Sequence, residues 1–438
     1  MTSLGIIGGG FSGLSTLAAL VRHATKPMQI TIYNPDGVLG RGKAYSTQDP
    51  EHLLNVRAGA MGAHAGEDDD FFLWLVAENI SHETSDFVPR ALYARYLDSV
   101  LAETLIDAQK KDIRIFTIHE KVTDVVPDIE GLTVRTVEGA HIHNGVILAC
   151  GNDRPRLPVL GHKVSTHAGW WKNPYMHDRW RDIQRAGHVV IIGSGLSMVD
   201  ALVTLKRENY EGDITVVSRH GMVPHAHPDL STPFSWNEED VQKISSLSVL
   251  IRQIRLRTAE SNADWRDVLD GLRPYSNIIW RNFSATDRKR AQRYMTLWNT
   301  HRHRIPQIMH DMINNAVGQG QLRLISGQVE KVEAMGSSLN VYTSAGVKEG
   351  QIVMNCLGYD YRITPDDKNL LSVLSRSGLV KMSEGFPHPS SDALQLHPAH
   401  ALYGVGPMWQ GHFIESTAVR DIRLQADLVV KDILGKVA

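Results

Sequence analysis

Leu4-Gly5-Ile6-Ile7-Gly8-Gly9-Gly10-Phe11-Ser12-Gly13 decides the reading of this chain. A short apolar run enters a glycine triplet, and a helical pattern from Ser12 to about His23 leads to β-branched Ile30-Thr31-Ile32-Tyr33, a βαβ unit of ordinary length. The triplet fits G-x-G-x-x-G. Gly8 permits the tight turn, Gly10 lets a pyrophosphate approach the backbone, and Gly13 lets helix and strand pack closely. The N–H groups of Phe11 and Ser12 open the helix and carry its partial positive charge, so a dinucleotide is expected there. The end of the second strand, where an acid usually meets ribose hydroxyls, is Asn34. Its amide can also bond a hydroxyl, and Asp36 lies close by.

The pattern recurs once. His188-Val189-Val190-Ile191-Ile192 runs into Gly193-Ser194-Gly195-Leu196-Ser197-Met198, followed by a helix to about Lys206 and a strand over 214–218. Met198 stands in the third glycine position, which predicts a wider gap between helix and strand. The second strand ends in Ser218-Arg219-His220 rather than an acid. A hydroxyl and a guanidinium at that point complement the 2′-phosphate of NADPH; the alternative is a solvated loop arginine. Two dinucleotide sites in one chain suit a tightly held FAD and an exchanging NADPH.

The 438 residues are enough for two to four domains. Strand signals at 113–118, 132–136 and 141–150 end at a proline-punctuated linker, Arg154-Pro155-Arg156-Leu157-Pro158. Helical, arginine-rich periodicity fills about 236–315, strands return over 322–356, and an amphipathic helix closes the chain over 415–434. The expected fold is α/β, with two Rossmann-like dinucleotide-binding domains. The expected domains are 1–184 (FAD, first part), 185–330 (NADPH, with the helical insertion at about 236–315) and 331–438 (FAD, second part).

With 46 Lys+Arg against 48 Asp+Glu, the net charge of −2 predicts no field that would gather nucleic acid or an anionic membrane. No apolar run approaches the ~18 residues of a membrane span, and the first residues lack the pattern of a leader. Cys150 and Cys356 are the only cysteines, so neither a disulfide framework nor a C-x-x-C redox pair is available. A cytoplasmic protein acting on a small molecule is expected.

Further stretches carry a resemblance. They are Gly40-Arg41-Gly42-Lys43-Ala44-Tyr45, His52-Leu53-Leu54-Asn55-Val56, Phe87-Val88-Pro89-Arg90 with Tyr93 and Tyr96, and Trp298-Asn299 with His301-Arg302-His303-Arg304. Asn355-Cys356-Leu357-Gly358 and Gly406-Pro407, followed by Glu415, Thr417-Ala418 and Arg423, complete the set. With the glycine turns, they resemble the two-dinucleotide-binding-domain flavoproteins, bacterial FAD/NAD(P)-binding proteins related to flavin-containing and N-hydroxylating monooxygenases. The resemblance implies that Asn55 holds the flavin–oxygen adduct and touches the nicotinamide; a loop asparagine satisfied by backbone is the alternative. It implies contacts from Arg41 and Lys43 to the FAD pyrophosphate or ribose, unless these charges face solvent. Gly151 and Gly358 fall at domain crossings, which makes both cysteines packing residues. Gly406 falls where the ribityl chain is normally met, although Pro407 replaces the usual acid. Thr417 and Ala418 open a helix whose dipole would face the flavin N1/C2 carbonyl.

His225-Ala226-His227 and His301-Arg302-His303 lack a further ligand at metal spacing, so no metal is expected. The arginines of 288–293 and 302–304 would line an anion site or form a solvated helical face. The activity implied is an NADPH-consuming, FAD-dependent monooxygenase that attacks a soft amine or sulfur nucleophile through a C4a-hydroperoxyflavin. Rival readings are an NAD(P)H-dependent reductase without oxygen insertion and a non-enzymatic FAD-binding regulator.

Overall fold

In the computed structural model, described for residues 1–151, 154–175, 177–229, 232–261, 263–364 and 366–437, the chain forms two compact units. The first unit holds Met1–Pro50, Val56–Asp153 and Tyr361–Ala438; the second holds Glu51–Asn55 and Arg154–Asp360.

The first unit is built on a six-stranded sheet. In spatial order its strands are Gln395–His397, His400–Gly404, Gly145–Leu148, Thr2–Ile7, Met28–Tyr33 and Arg114–Ile118. All neighbours run parallel except the first pair. Leu4, Ile6, Ile30, Ile32 and 146–148 are buried, as expected of parallel strands covered on both faces. Helix Phe11–His23 packs against Arg90–Lys110 and the closing helix Val419–Val437. Helices Asp70–Ala77 and Arg90–Lys110 are not among the elements expected from the sequence, although in the second Tyr93, Tyr96, Leu97, Val100, Thr104 and Ala108 recur at helical spacing and are buried.

The expected strand over 141–150 is two strands. Ala140–His143 pairs in a separate antiparallel sheet with Gly131–Arg135, and Gly145–Leu148 enters the main sheet. Asn144 makes the switch: its N–H donates to the Ser3 carbonyl and its Oδ1 accepts from the Ser3 N–H, both at 2.8 Å.

The second unit contains a parallel sheet ordered Leu322–Ser326, Asp213–Ser218, His188–Ile192, Ile352–Asn355 and Trp170–Trp171. Strand alternation divides its core. Val189, Ile191, Val216 and Met354 face Met198, Leu202, Met309 and Ile313 on the helical side. Val190, Ile192, Val217 and Val353 face Val332, Leu339 and Val341. Those last three belong to the antiparallel strands Val329–Met335 and Ser338–Thr343. The crossings therefore fall near 153 and 360, rather than at the expected 184 and 330. Strands 329–350 cover one face of the second sheet, and Ile352–Asn355 fills its interior slot.

The insertion is a series of short helices from Glu238–Gln242 to Met295–Arg302. Helix Gln307–Gly318, expected to lie largely within it, instead packs against Leu196–Arg207 and strand Leu322–Ser326 as a crossover helix of the sheet. The closing helix begins at Val419, four residues later than expected.

His143 gives the first unit a pH dependence. Its ring is buried, with Nδ1 bonded to Ser3 Oγ and Nε2 to Tyr33 Oη, each at 2.8 Å, and Gly5 leaves the room it occupies. Burial, reinforced by His141, pushes its pKa down to about 4. Between pH 6.5 and 4 the unfolded chain binds a proton that the folded chain refuses, so stability falls on acidification. Denaturant titrations should show a loss of up to about 3 kcal/mol across that window from this group. His143→Gln should remove that share of the pH dependence; an unchanged slope would place the titration elsewhere.

Candidate functional site

The two glycine turns share one geometry. Gly8 and Gly193 have φ of 112° and 98°, a region open to glycine and rarely to other residues. A Cβ on Gly8 would strike the Ala149 carbonyl, and one on Gly193 would lie 2.5 Å from the Cys356 carbonyl oxygen. Each turn is thus pressed against the end of the neighbouring strand. Gly10 (φ −72°, ψ −165°) and Gly195 (φ −86°, ψ −163°) then cap their helices without a side-chain bond. The first N–H groups therefore remain available to an anion.

The third position separates the turns. A Cβ on Gly13 would collide with the Gly8 carbonyl, whereas Met198 is fully buried among helix-side core residues. At the second position both turns keep space. The Cβ of a substituted Gly10 would meet only Gly42, with Cα at 3.4 Å, and that of Gly195 would meet nothing within 4 Å.

In the first unit, loop 40–42 crosses the turn, with the Gly40 N–H donating to the Gly9 carbonyl at 2.7 Å. Gly42 (φ 54°) faces Gly10 backbone to backbone. Gly42 is not among the site residues expected from the sequence, although the G-R-G spacing signals this pair of facing glycines. Gly406 (φ 91°) touches Ser12, and its N–H donates to Gln425 Oε1 at 2.7 Å. The Ala418 carbonyl accepts the first bond of helix Val419–Val437, so Thr417 and Ala418 stand just before that helix.

Asn34 is buried, and its Nδ2 donates to the Val38 carbonyl at 2.9 Å, which leaves Oδ1 as the acceptor for a ligand hydroxyl. Arg41 forms a fork with Asp98, which raises its pKa and neutralises its charge. It braces the loop instead of offering a free cation. Lys43 is exposed. Among the described residues the buried Tyr93 hydroxyl has no partner; its ring lies 4.7 Å from Tyr45, which meets Phe11 edge-on at 6.2 Å. An orphaned buried donor fits a bound polar ligand.

In the second unit, Ser194 Oγ donates to the Met222 carbonyl, so the 2.9 Å bond between Ser194 and Ser218 uses the Ser218 proton. Ser218 Oγ also accepts from the Gly221 N–H at 3.1 Å. Its hydroxyl therefore holds the turn together rather than pointing to a phosphate. Arg219 is exposed and donates to Thr296 Oγ1 at 2.8 Å; among the described residues no carboxylate pairs with it. Leu196 and Ser197 are half-buried in the first helical turn. Asn55 belongs to this unit, with its carbonyl accepting from His227 Nε2 at 3.1 Å.

The crossing segments pair with each other inside the second unit. The Arg156 N–H donates to the Gly358 carbonyl (2.9 Å) and the Asp360 N–H to the Arg154 carbonyl (2.8 Å). Asn355 Nδ2 joins them by donating to the Arg156 and Lys172 carbonyls. Gly151 and Gly358 take left-handed φ of 65° and 74° with open space around them. Asn152, the other end of the first expected crossing turn, lies outside the described residues. Cys356 is buried and its thiol pKa is pushed upward by burial, which suits packing.

The histidine clusters meet. The rings of His225 and His301 lie 4.6 Å apart, and both contact Trp265. Arg302 and Arg304 are buried rather than on a solvated face, and Arg304 pairs with Asp270. Among the described residues, His64, Glu67 and Asp70 bring possible ligand atoms within 4.8 Å of one another. Arg22 already pairs with Glu67 and Tyr96 with Asp70.

Residues 5–153 match the model of the FAD-NAD(P)-binding family. The fold is that of the two-dinucleotide-binding-domain flavoproteins, as expected. Ornithine N-hydroxylase of Kutzneria sp. 744, solved with reduced FAD, NADP+ and L-ornithine, superposes with a TM-score of 0.65 at 14% identity, over 99% of each chain. Reduced ornithine hydroxylase of Pseudomonas aeruginosa gives 0.65 at 15% over the whole of both chains. Thioredoxin reductase of Lactococcus lactis gives 0.54 at 11%, over 100% of this chain and 99% of its own. No curated protein matches the sequence significantly. No helix among the described residues is long and apolar enough to cross a membrane.

The turns predict a contrast between two substitutions. Gly10→Val should fold, because only Gly42 faces the new side chain, but should lose flavin by filling the cradle. Gly13→Val should fail to fold, because its Cβ enters the Gly8 carbonyl. Absorbance of the purified chains and thermal melts check both; full flavin occupancy in Gly10→Val would overturn the cradle.

Proposed function

We propose that this chain is an FAD-dependent, NADPH-consuming monooxygenase acting on a small amine or sulfur nucleophile. The observation that carries the reading is the repeated turn, one in each unit, with an uncapped helix start and space at the second glycine in both. The FAD-NAD(P)-binding match over 5–153 supports FAD at the first turn, which leaves the second for the nicotinamide nucleotide. Bound together, the cofactors would supply hydride transfer and oxygen activation, and the protein's part is to bind, orient and donate.

At the first turn, the N–H groups of 11–13 would hold the pyrophosphate, Asn34 Oδ1 would accept from a ribose hydroxyl, and the loop braced by Arg41 would close over it. At the second, Arg219 would meet the 2′-phosphate, its charge being unpaired among the described residues where that of Arg41 is not. Asn55 is the donor assigned to oxygen chemistry. Its carbonyl is held by His227, while its side-chain amide makes no hydrogen bond among the described residues, which argues against a purely structural asparagine. The hydroxylase likenesses are consistent with oxygen insertion at nitrogen. A disulfide reductase has less support, since Cys150 and Cys356 pack in separate units.

Arg219→Ala should cost NADPH on the order of 1.5–3 kcal/mol in kcat/KM and leave NADH nearly unaffected. Steady-state kinetics with both nucleotides checks this, and an unchanged ratio would move the phosphate contact. Asn55→Ala should keep FAD, still accept hydride and release more hydrogen peroxide per NADPH. Peroxide titration after turnover reads the result; an unaltered yield would favour a plain reductase.

A further inference from the structure

We propose that His52 is a positioning residue that straps segment 51–55 to the nucleotide-binding helix and so keeps Asn55 in register with the second glycine turn. The inference rests on the role given above to Asn55. Residues 51–55 belong to the second unit, although the chain on both sides, to Pro50 and from Val56, belongs to the first. The attachments of this segment within the second unit are specific.

His52 is buried, and its Nε2 lies 2.9 Å from Thr204 Oγ1 and 3.2 Å from the Asp200 carbonyl. The carbonyl only accepts, so Nε2 carries the proton and donates. Asp200 and Thr204 are one turn apart on helix Leu196–Arg207, so both partners stand on one face. That helix starts at the second glycine turn, with Asp200 about 7.5 Å along its axis. Leu53 packs on the core beneath the same helix. At the other end of the segment, His227 Nε2 donates to the Asn55 carbonyl at 3.1 Å.

The strap is thus held by an imidazole at each end and an apolar side chain between them. Both polar attachments leave the Asn55 amide untouched. A bond to the backbone of Asn55 fixes where its side chain starts without occupying it. The arrangement links the helix that would receive the nucleotide to the residue that would serve the oxygen chemistry, over five residues of chain.

Hydrogen–deuterium exchange on the FAD-loaded, full-length protein tests the strap independently of turnover. In the unmodified protein, NADP+ should slow exchange of the 51–55 amides. His52→Ala should exchange about tenfold faster there, as expected for loss of a buried hydrogen bond, and should lose the response to NADP+. Its flavin content should stay unchanged and its peroxide yield should approach that of Asn55→Ala. His52→Gln, which keeps a donor, should restore part of each effect. Exchange in His52→Ala equal to that of the unmodified protein would overturn the strap. So would an unchanged peroxide yield in His52→Ala beside a leaking Asn55→Ala. If Asn55→Ala does not leak, the oxygenation reading fails, and the exchange data still decide the strap. Should His52→Ala not fold, His227→Ala releases the other, half-buried end, and the same exchange outcomes apply.

Discussion

The close approach of a strand-end carbonyl to the first glycine of each turn is the constraint on which the rest of the structure depends. Ala149 presses on Gly8 and Cys356 on Gly193, at distances no side chain would tolerate. Because the contact fixes where the neighbouring strand stops, it also fixes where the chain leaves each sheet. The outgoing segment follows Ala149 directly, and the returning one follows Cys356 directly. Glycine turn and chain exit are therefore one steric arrangement. The glycines that follow, Gly151 and Gly358, serve the bend, where each takes a left-handed φ.

The turns differ where their neighbours differ. Gly13 permits helix and strand to approach until the Gly8 carbonyl lies against its α-carbon, whereas Met198 fills that position with a buried thioether side chain. A fully buried Met contributes roughly 1.5–3 kcal/mol of apolar burial, so the second turn gives up closeness and gains core. The cations divide in the same way. Arg41 is neutralised by Asp98 and stiffens a loop, while Arg219 is held in place by the neutral hydroxyl of Thr296 and keeps its charge. Orientation by a hydroxyl leaves a guanidinium able to pair with a phosphate; orientation by a carboxylate does not.

The helical insertion is tied to the second glycine turn by that same Arg219–Thr296 bond. It also brings His301 against His225 and Trp265, and Arg304 against Asp270. What looks in sequence like a basic, solvated stretch is in part a packed polar interior. The segment 225–227, bridged to Ile305, passes from this interior to the Asn55 carbonyl. The insertion, the second turn and the strap 51–55 are in this way parts of one unit.

The sequence by itself determined both glycine turns, the strands and helices flanking them, and the two-domain α/β class. These follow from sterics and periodicity within about thirty residues, which a local pattern carries. Only the tertiary structure decided that residues 329–350 cover the second sheet, because antiparallel strands with alternating apolar residues suit either unit until one presents an open face. It decided that Arg41 meets Asp98, that Ser218 serves its own turn, and that the Asn55 carbonyl meets His227. Each of those partners lies tens to more than a hundred residues away or depends on competition among several polar groups. Local sequence states what a side chain can bond, and the packed structure settles which of the candidates arrives within reach.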